Sequence, residues 1–173
     1  MRFVVVVGNP KPQSRTLAAA CQAASAITGA AGLPDGCHVI DLSGLARRLL
    51  QPEPCPAVED ALEQAADADL LLVASPTYKG TYTGLLKVFL DRLPHQALTG
   101  VIALPLLVMG APQHALAVDV HLRPLLLELG ATAPVPGLAL LESDLASPDA
   151  VLRPWAARAA AILASAPSPV LTP

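Results

Sequence analysis

Aromatic residues are scarce in this sequence: two Phe, two Tyr and one Trp, or 3% of 173 residues. A surface that stacks nucleobases needs more of them, alongside a stripe of cations. Charge is equally thin. Only 14% of residues are charged, the net charge is −3, and no run of Lys or Arg occurs. Nucleic acid is therefore not expected as a partner. Cysteine is limited to Cys21, Cys37 and Cys55. They show no CxxC or Cys/His spacing, so buried thiols and no metal site are expected. None has an Arg six positions on, which excludes a tyrosine-phosphatase-like loop. A membrane-spanning run is missing too. The uncharged stretch from Gln96 to Val118 is broken by Gly100, Pro105, Gly110 and Pro112. Phe3–Val7 is too short for the apolar core of a secretion signal, so a cytoplasmic location is expected.

What the chain does have is apolar bulk: 53% of residues, with a mean hydropathy of +0.52. That excludes a disordered chain and suits one domain, expected over 1–166 with a loose tail at 167–173. Five apolar runs alternate with helix-length segments. Phe3–Val7, His38–Leu42, Leu70–Ala74, Val101–Val108 and Ala133–Leu140 read as strands. Helices are expected over Ser14–Ile27, Val58–Ala66, Thr83–Leu93, His114–Leu129 and Ala150–Ala164, with a turn cluster at Gly29–Gly36. Such alternation implies parallel strands joined by right-handed crossovers. The expected fold is α/β: a flavodoxin-like three-layer sandwich around a five-stranded parallel sheet of order 2-1-3-4-5.

Ligands of such sheets sit beyond the carboxyl ends of the strands, and three loops there carry most of the chemistry. Gly8-Asn9-Pro10-Lys11-Pro12-Gln13-Ser14-Arg15-Thr16 joins a buried strand to a helix N-terminus, where free amides and the helix dipole favour a phosphate. Ser14 and Thr16 offer hydroxyls, and Arg15 a charged fork. An ordinary N-cap at Ser14 with a solvated Arg15 fits the same residues. The second loop, Ser75-Pro76-Thr77-Tyr78-Lys79-Gly80-Thr81-Tyr82-Thr83-Gly84, holds both tyrosines. It suits a planar ring packed beside Tyr78, and equally a tight turn whose tyrosines cover the core edge. The third loop contains Gly110-Ala111-Pro112.

The string from Ser75 to Lys87 resembles the signature of the NAD(P)H-dependent FMN reductases of the flavodoxin-like superfamily. The likeness is strongest to the reductase components of two-component flavin monooxygenase systems. It extends to Gly8 and Ser14-Arg15-Thr16, to His114–Asp119 and to Leu122–Leu126, covering Phe3 to about Gly130. The resemblance implies an oxidoreductase with FMN and NADPH (or NADH) as its flavin and pyridine nucleotide. By the same resemblance, Ser14, Arg15, Thr16 and the backbone after Gly8 hold the FMN phosphate. Pro76, Thr77, Tyr78 and Lys79 border the ribityl chain and ring, and Gly110 and Ala111 lie beside the pyrimidine edge. His114 matches a family histidine at the start of the fourth helix, where capping or packing is an equally good account. Met109 replaces a second glycine and is expected to narrow the third loop.

The implied reaction is hydride transfer from nicotinamide C4 to flavin N5, supplying reduced flavin to a partner monooxygenase. The cofactors carry the chemistry and the protein supplies position, so no catalytic acid, base or nucleophile is expected. The alternatives are an FMN-containing quinone, azo or chromate reductase, and a flavodoxin-like electron carrier that does not oxidise NAD(P)H. Apolar residues in the third and fourth helices exceed one face, which points to a homodimer or homotetramer. Pro124 cannot donate to the Val120 carbonyl, so a kink or π-type widening is expected near Val120–His121. Relatives place a Tyr or His insertion directly after the acidic residue at that point. Here Val120 takes the position and His121 follows.

Overall fold

All five side chains of β1 (Phe3–Val7) are buried, as a β-branched run covered on both faces must be. The computed structural model describes residues 1–34 and 36–165. After β1 come α1 (Arg15–Ala31), β2 (His38–Asp41), α2 (Pro56–Ala66), β3 (Leu70–Pro76) and α3 (Gly84–Leu90). Then follow β4 (Ile102–Met109), α4 (Arg123–Glu128), β5 (Leu138–Leu141) and α5 (Asp149–Ser165). The strands are all parallel, in the expected order β2-β1-β3-β4-β5. Alternate side chains go to opposite faces. Val4, Val6, Leu71 and Val73 pack with α2, α3 and α4, whereas Val5, Val7, Leu70 and Leu72 pack with α1 and α5. Each such burial stabilises the fold by about 1.5–3 kcal/mol. No described helix is long and apolar enough to cross a membrane. The expected tail at 167–173 lies outside the described residues.

Several boundaries differ from expectation. Helix α1 runs through Gly29 and stops at Gly32, whose left-handed φ of 62° caps it by donating to the Thr28 carbonyl. Helix α3 ends at Leu90 rather than Leu93. Strand β5 begins at Leu138, not Ala133. Pro134 and Pro136 have no N–H for a ladder, and other elements take the carbonyls of this segment instead. Arg123 Nη2 donates to the Ala133 carbonyl (2.6 Å) and Trp155 Nε1 to the Pro136 carbonyl (3.0 Å). The late start of β5 also accommodates Pro105 inside β4. Ala103 donates towards Thr132, and residue 105 shares that orientation. Pairing with β5 begins only at Leu106↔Leu138, so no ladder bond is lost there.

The expected single helix from His114 to Leu129 is three pieces: a 3-10 turn at Pro112–His114, a π segment at Val118–Leu122, and α4. The widening falls where Pro124 requires it. The Arg123 N–H reaches back five residues to the Val118 carbonyl. Asp119 fixes the segment by accepting from the Gly137 N–H at 2.9 Å. A Cβ at Gly137 would lie 2.4 Å from Val118 Cγ2, so only glycine lets the π segment approach this closely.

At the carboxyl edge, one buried network joins three elements. Thr83 Oγ1 donates to the Gly8 carbonyl (2.5 Å) and accepts from the Leu86 N–H (3.2 Å), capping α3. The Thr83 N–H donates to Ser75 Oγ (3.0 Å), which itself donates to the Pro76 carbonyl (2.9 Å). Gly8 completes the contact: a Cβ there would sit 2.5 Å from Leu86 Cβ. Thr83→Val keeps the shape but removes the cap and leaves the Gly8 carbonyl without this donor. It should cost about 2–4 kcal/mol, seen as a lower urea midpoint at unchanged slope. Thr83→Ser should retain most of the stability; equal losses in both variants would assign the effect to the methyl group instead.

Candidate flavin site at the carboxyl edge of the sheet

The chain leaves β1 for β2 on one side and returns through β3 on the other, so the switch point of the sheet lies between β1 and β3. The Gly8 N–H still donates to the Ala74 carbonyl (2.8 Å), which holds the two strand ends together. Beyond it the first loop turns on Asn9, a buried residue. Its Oδ1 accepts from the Lys11 N–H and its Nδ2 donates to Thr16 Oγ1, both at 3.0 Å. Gln13 adopts φ 50°. Ser14 is the N-cap of α1, its Oγ accepting from the Leu17 N–H at 3.1 Å. The amides of Arg15 and Thr16 remain at the mouth of the helix without intrahelical partners. Among the described residues neither the Ser14 nor the Thr16 hydroxyl donates a hydrogen bond; both oxygens only accept.

The second loop is set by its neighbour strand. The Thr77 N–H donates to the Val108 carbonyl (2.7 Å), extending the β3–β4 ladder one residue beyond Pro76. A two-residue reversal follows, closed by Tyr78 and Thr81 at 2.8 and 3.3 Å. Lys79 (φ 54°) and Gly80 (φ 82°) are both left-handed, the pattern of a type I′ turn. This turn leaves Tyr78 44% exposed at the rim, while Tyr82 packs half-buried against the core. The Thr77 hydroxyl is enclosed yet meets no protein partner. An unsatisfied buried hydroxyl costs about 1–3 kcal/mol, which a ligand's polar group would offset.

In the third loop, Gly110 is exposed and Ala111, with φ −149°, leads into the turn containing His114. The His114 N–H donates to the Ala111 carbonyl, and the residue is half-buried. Met109 is the last residue of β4 and is buried, rather than standing in the loop as expected. Because β1, β3 and β4 are neighbours, the structure brings Gly8, Pro76, Thr77 and Gly110 to one shelf. Arg15 stands at the same edge with one side of its guanidinium engaged: its Nη2 lies 3.0 Å from Glu142 Oε2, just after β5. Sequence reasoning missed Asn9, Ser75 and Thr83 as scaffolding for this shelf. Of these, Thr83 before Gly84-Leu85-Leu86 carried a legible helix-cap signal.

The cysteines lie outside the three loops. Cys55 is buried, but Cys21 and Cys37 are only half-buried, contrary to expectation. Burial pushes the Cys37 thiol up, with nearby Cys21 adding to the shift. The Val58 N–H, followed by the Ala57 amide and Arg48, holds the Cys55 thiol below the ordinary range. Among the described residues, no group of three His, Cys, Asp or Glu is placed to hold a metal ion. An open groove of about 630 Å³ lies between α1 and α5, lined by Cys21, Gln22, Ser25, Asp149, Leu152 and Arg153 among others, but by none of the loop residues.

The donor set fits a phosphorylated, ring-bearing ligand: free amides and hydroxyls at a helix mouth, an unsatisfied hydroxyl behind them, and an exposed aromatic at the rim. Residues 1–146 match the family described as NADPH-dependent FMN reductase. The "NADH-dependent FMN reductase SfnF" of Pseudomonas fluorescens (strain Pf0-1) is 34% identical over 162 residues, 91% of this chain and 86% of that protein. The "FMN reductase (NADPH)" of Escherichia coli (strain K12) is 49% identical over 76 residues. That match spans 44% of this chain and only 40% of the E. coli protein. The solved structure of an NADH:FMN oxidoreductase, EMOB, superposes with a TM-score of 0.78 at 32% identity, covering 96% of this chain and 91% of that one. This chain belongs to the NADPH-dependent FMN reductase family.

Proposed function

We propose that the chain transfers a hydride from NAD(P)H to FMN and releases the reduced flavin to a partner monooxygenase in the cytoplasm. The observation that carries this reading is the enclosed, unpartnered Thr77 hydroxyl at the switch point of the sheet. When bound, FMN supplies the hydride-accepting ring. The chain's own residues position it and exclude water from one side. Ser14, Thr16 and the amides after Gly8 receive the phosphate, with Arg15 as the charged member. Pro76 and Thr77 form the floor under the ribityl chain, with Tyr78 and Lys79 at its rim and Gly110, Ala111 and His114 along the far edge. Lys11 and Lys79 make no ion pair with a carboxylate among the described residues. Both are placed to meet an anionic dinucleotide arriving from solvent.

We assign the assembly to α3 and the π–α4 stretch. Leu116, Val120 and Leu127, all outside α3, are 73%, 55% and 47% exposed, while Leu85 and Val88 of α3 pack half-buried against the core. A second copy seated on this face makes a homodimer, and a pair of such dimers a tetramer.

Three outcomes test these assignments. Anaerobically, NADPH or NADH oxidation should depend on added FMN and saturate with it. Turnover of a quinone without added flavin would instead favour a reductase that keeps its FMN. Arg15→Ala should weaken FMN by about 1.5–3 kcal/mol, the size of a charged hydrogen bond, while leaving riboflavin nearly unchanged. Equal weakening of both flavins would remove Arg15 from the phosphate site. Light scattering at micromolar concentration should give a multiple of 17.7 kDa, and Val120→Glu should shift it towards the monomer. A wild-type mass of one chain would refute the interface.

A further inference from the structure

Arg15 is the first residue of α1 and Glu142 the first after β5, so both stand at the carboxyl edge of the sheet. Their side chains meet at 3.0 Å while remaining 69% and 41% exposed. An ion pair this wet contributes little to stability. Its consequence lies in what it does to the charge at the first loop. Without Glu142, an arriving phosphate meets two cations, Lys11 and Arg15. With it, one edge of the guanidinium is occupied and the loop's net charge falls from +2 to +1. A phosphate monoester carries about −1.5 to −2 at neutral pH, so the carboxylate both competes for Arg15 and repels the incoming group.

Resting on the proposed phosphate role of the first loop, we propose that Glu142 is a specificity-determining residue that loosens the hold on the flavin phosphate. It keeps FMN exchangeable and narrows the preference for FMN over riboflavin. A residue that merely propped up the loop would change both flavins together. One that acts on charge changes only the phosphorylated flavin, and does so in a salt-dependent way.

The test is a set of fluorescence titrations of FMN and riboflavin against wild type, Glu142→Gln, Glu142→Asp, Arg15→Ala and the Arg15→Ala/Glu142→Gln double variant. Circular dichroism melts serve as the folding check. Glu142→Gln should tighten FMN roughly three- to tenfold, the size of removing one screened like charge near the phosphate. It should steepen the salt dependence and leave riboflavin unchanged. Glu142→Asp, still anionic, should stay near wild type, and the gain from Glu142→Gln should shrink in the Arg15→Ala background. If Arg15→Ala selectively weakens FMN but Glu142→Gln does not tighten it, or shifts riboflavin equally, the role of Glu142 is overturned and the phosphate reading stands. If Arg15→Ala spares FMN, or weakens both flavins alike, the role of Arg15 at the phosphate falls, and that of Glu142 with it.

Discussion

The bond from Thr83 Oγ1 to the Gly8 carbonyl is the constraint on which the carboxyl edge depends. It ties the end of β1 to the start of α3, and the Thr83 N–H ties both to Ser75 at the end of β3. All three residues are buried, so these bonds exchange with no solvent and hold the loop bases at fixed separation. Gly8 is required by the same contact, since α3 approaches until Leu86 Cβ would lie 2.5 Å from any Cβ at that position. The apolar sheet makes the layers. This polar knot sets where the first two loops leave them.

A second constraint acts at the opposite side of the sheet. Between α4 and β5 only Thr132, among the described residues, bridges to the sheet. The stretch from Ala133 to Gly137 forms no ladder, yet it is held from both sides of the sandwich: Arg123 bonds Ala133, Asp119 bonds the Gly137 amide, and Trp155 bonds Pro136. An irregular stretch with two prolines thus has its polar groups taken by side chains from the π–α4 stretch and from α5. The π segment is consequently seated on a rigid support, with Val118 and Leu122 buried inward and Val120 turned out. A widened helix that was free to re-register would shed its extra residue. Here the close approach of Val118 to Gly137 fixes which residues carry the bulge.

The fold was legible because β1, most of β3 and most of β4 are long apolar runs, and the crossover rule then leaves few topologies even with a short, polar-ended β2. Legibility failed where composition and hydrogen bonding disagree. Ala133–Leu140 looks apolar enough for a strand, but Pro134 and Pro136 cannot donate, and only Leu138–Leu141 pairs. Gly29 suggested a turn, yet α1 continues to Ala31, because the left-handed stop is at Gly32. At the candidate site, the three loops could be found from topology alone. A tight turn is one of the two readings the second loop allows, and the Tyr78–Thr81 pairing bears it out; the enclosed Thr77 hydroxyl had no signal, since it depends on three-dimensional packing. Glu142 gave no signal at all: its partner Arg15 belongs to the opposite end of the chain, and only the packing of α1 beside α5 brings the two edges together.

Rigidity and openness are divided along the depth of the shelf, and the division suits a ligand that must leave. The base is largely buried and tied together by its own hydrogen bonds, while the amides at the mouth of α1 and Thr77 Oγ1 remain without protein partners. The rim is formed by Tyr78, Lys79 and Arg15, all exposed, where charged contacts are screened and individually weak. Under the proposed function this arrangement separates two requirements that a tight flavoprotein merges. Geometry for hydride transfer comes from the base, through bonds made within the protein before any ligand arrives. The exposed rim adds screened charge on top of that base, so an exposed carboxylate such as Glu142 is placed to adjust the hold on the phosphate without disturbing the base.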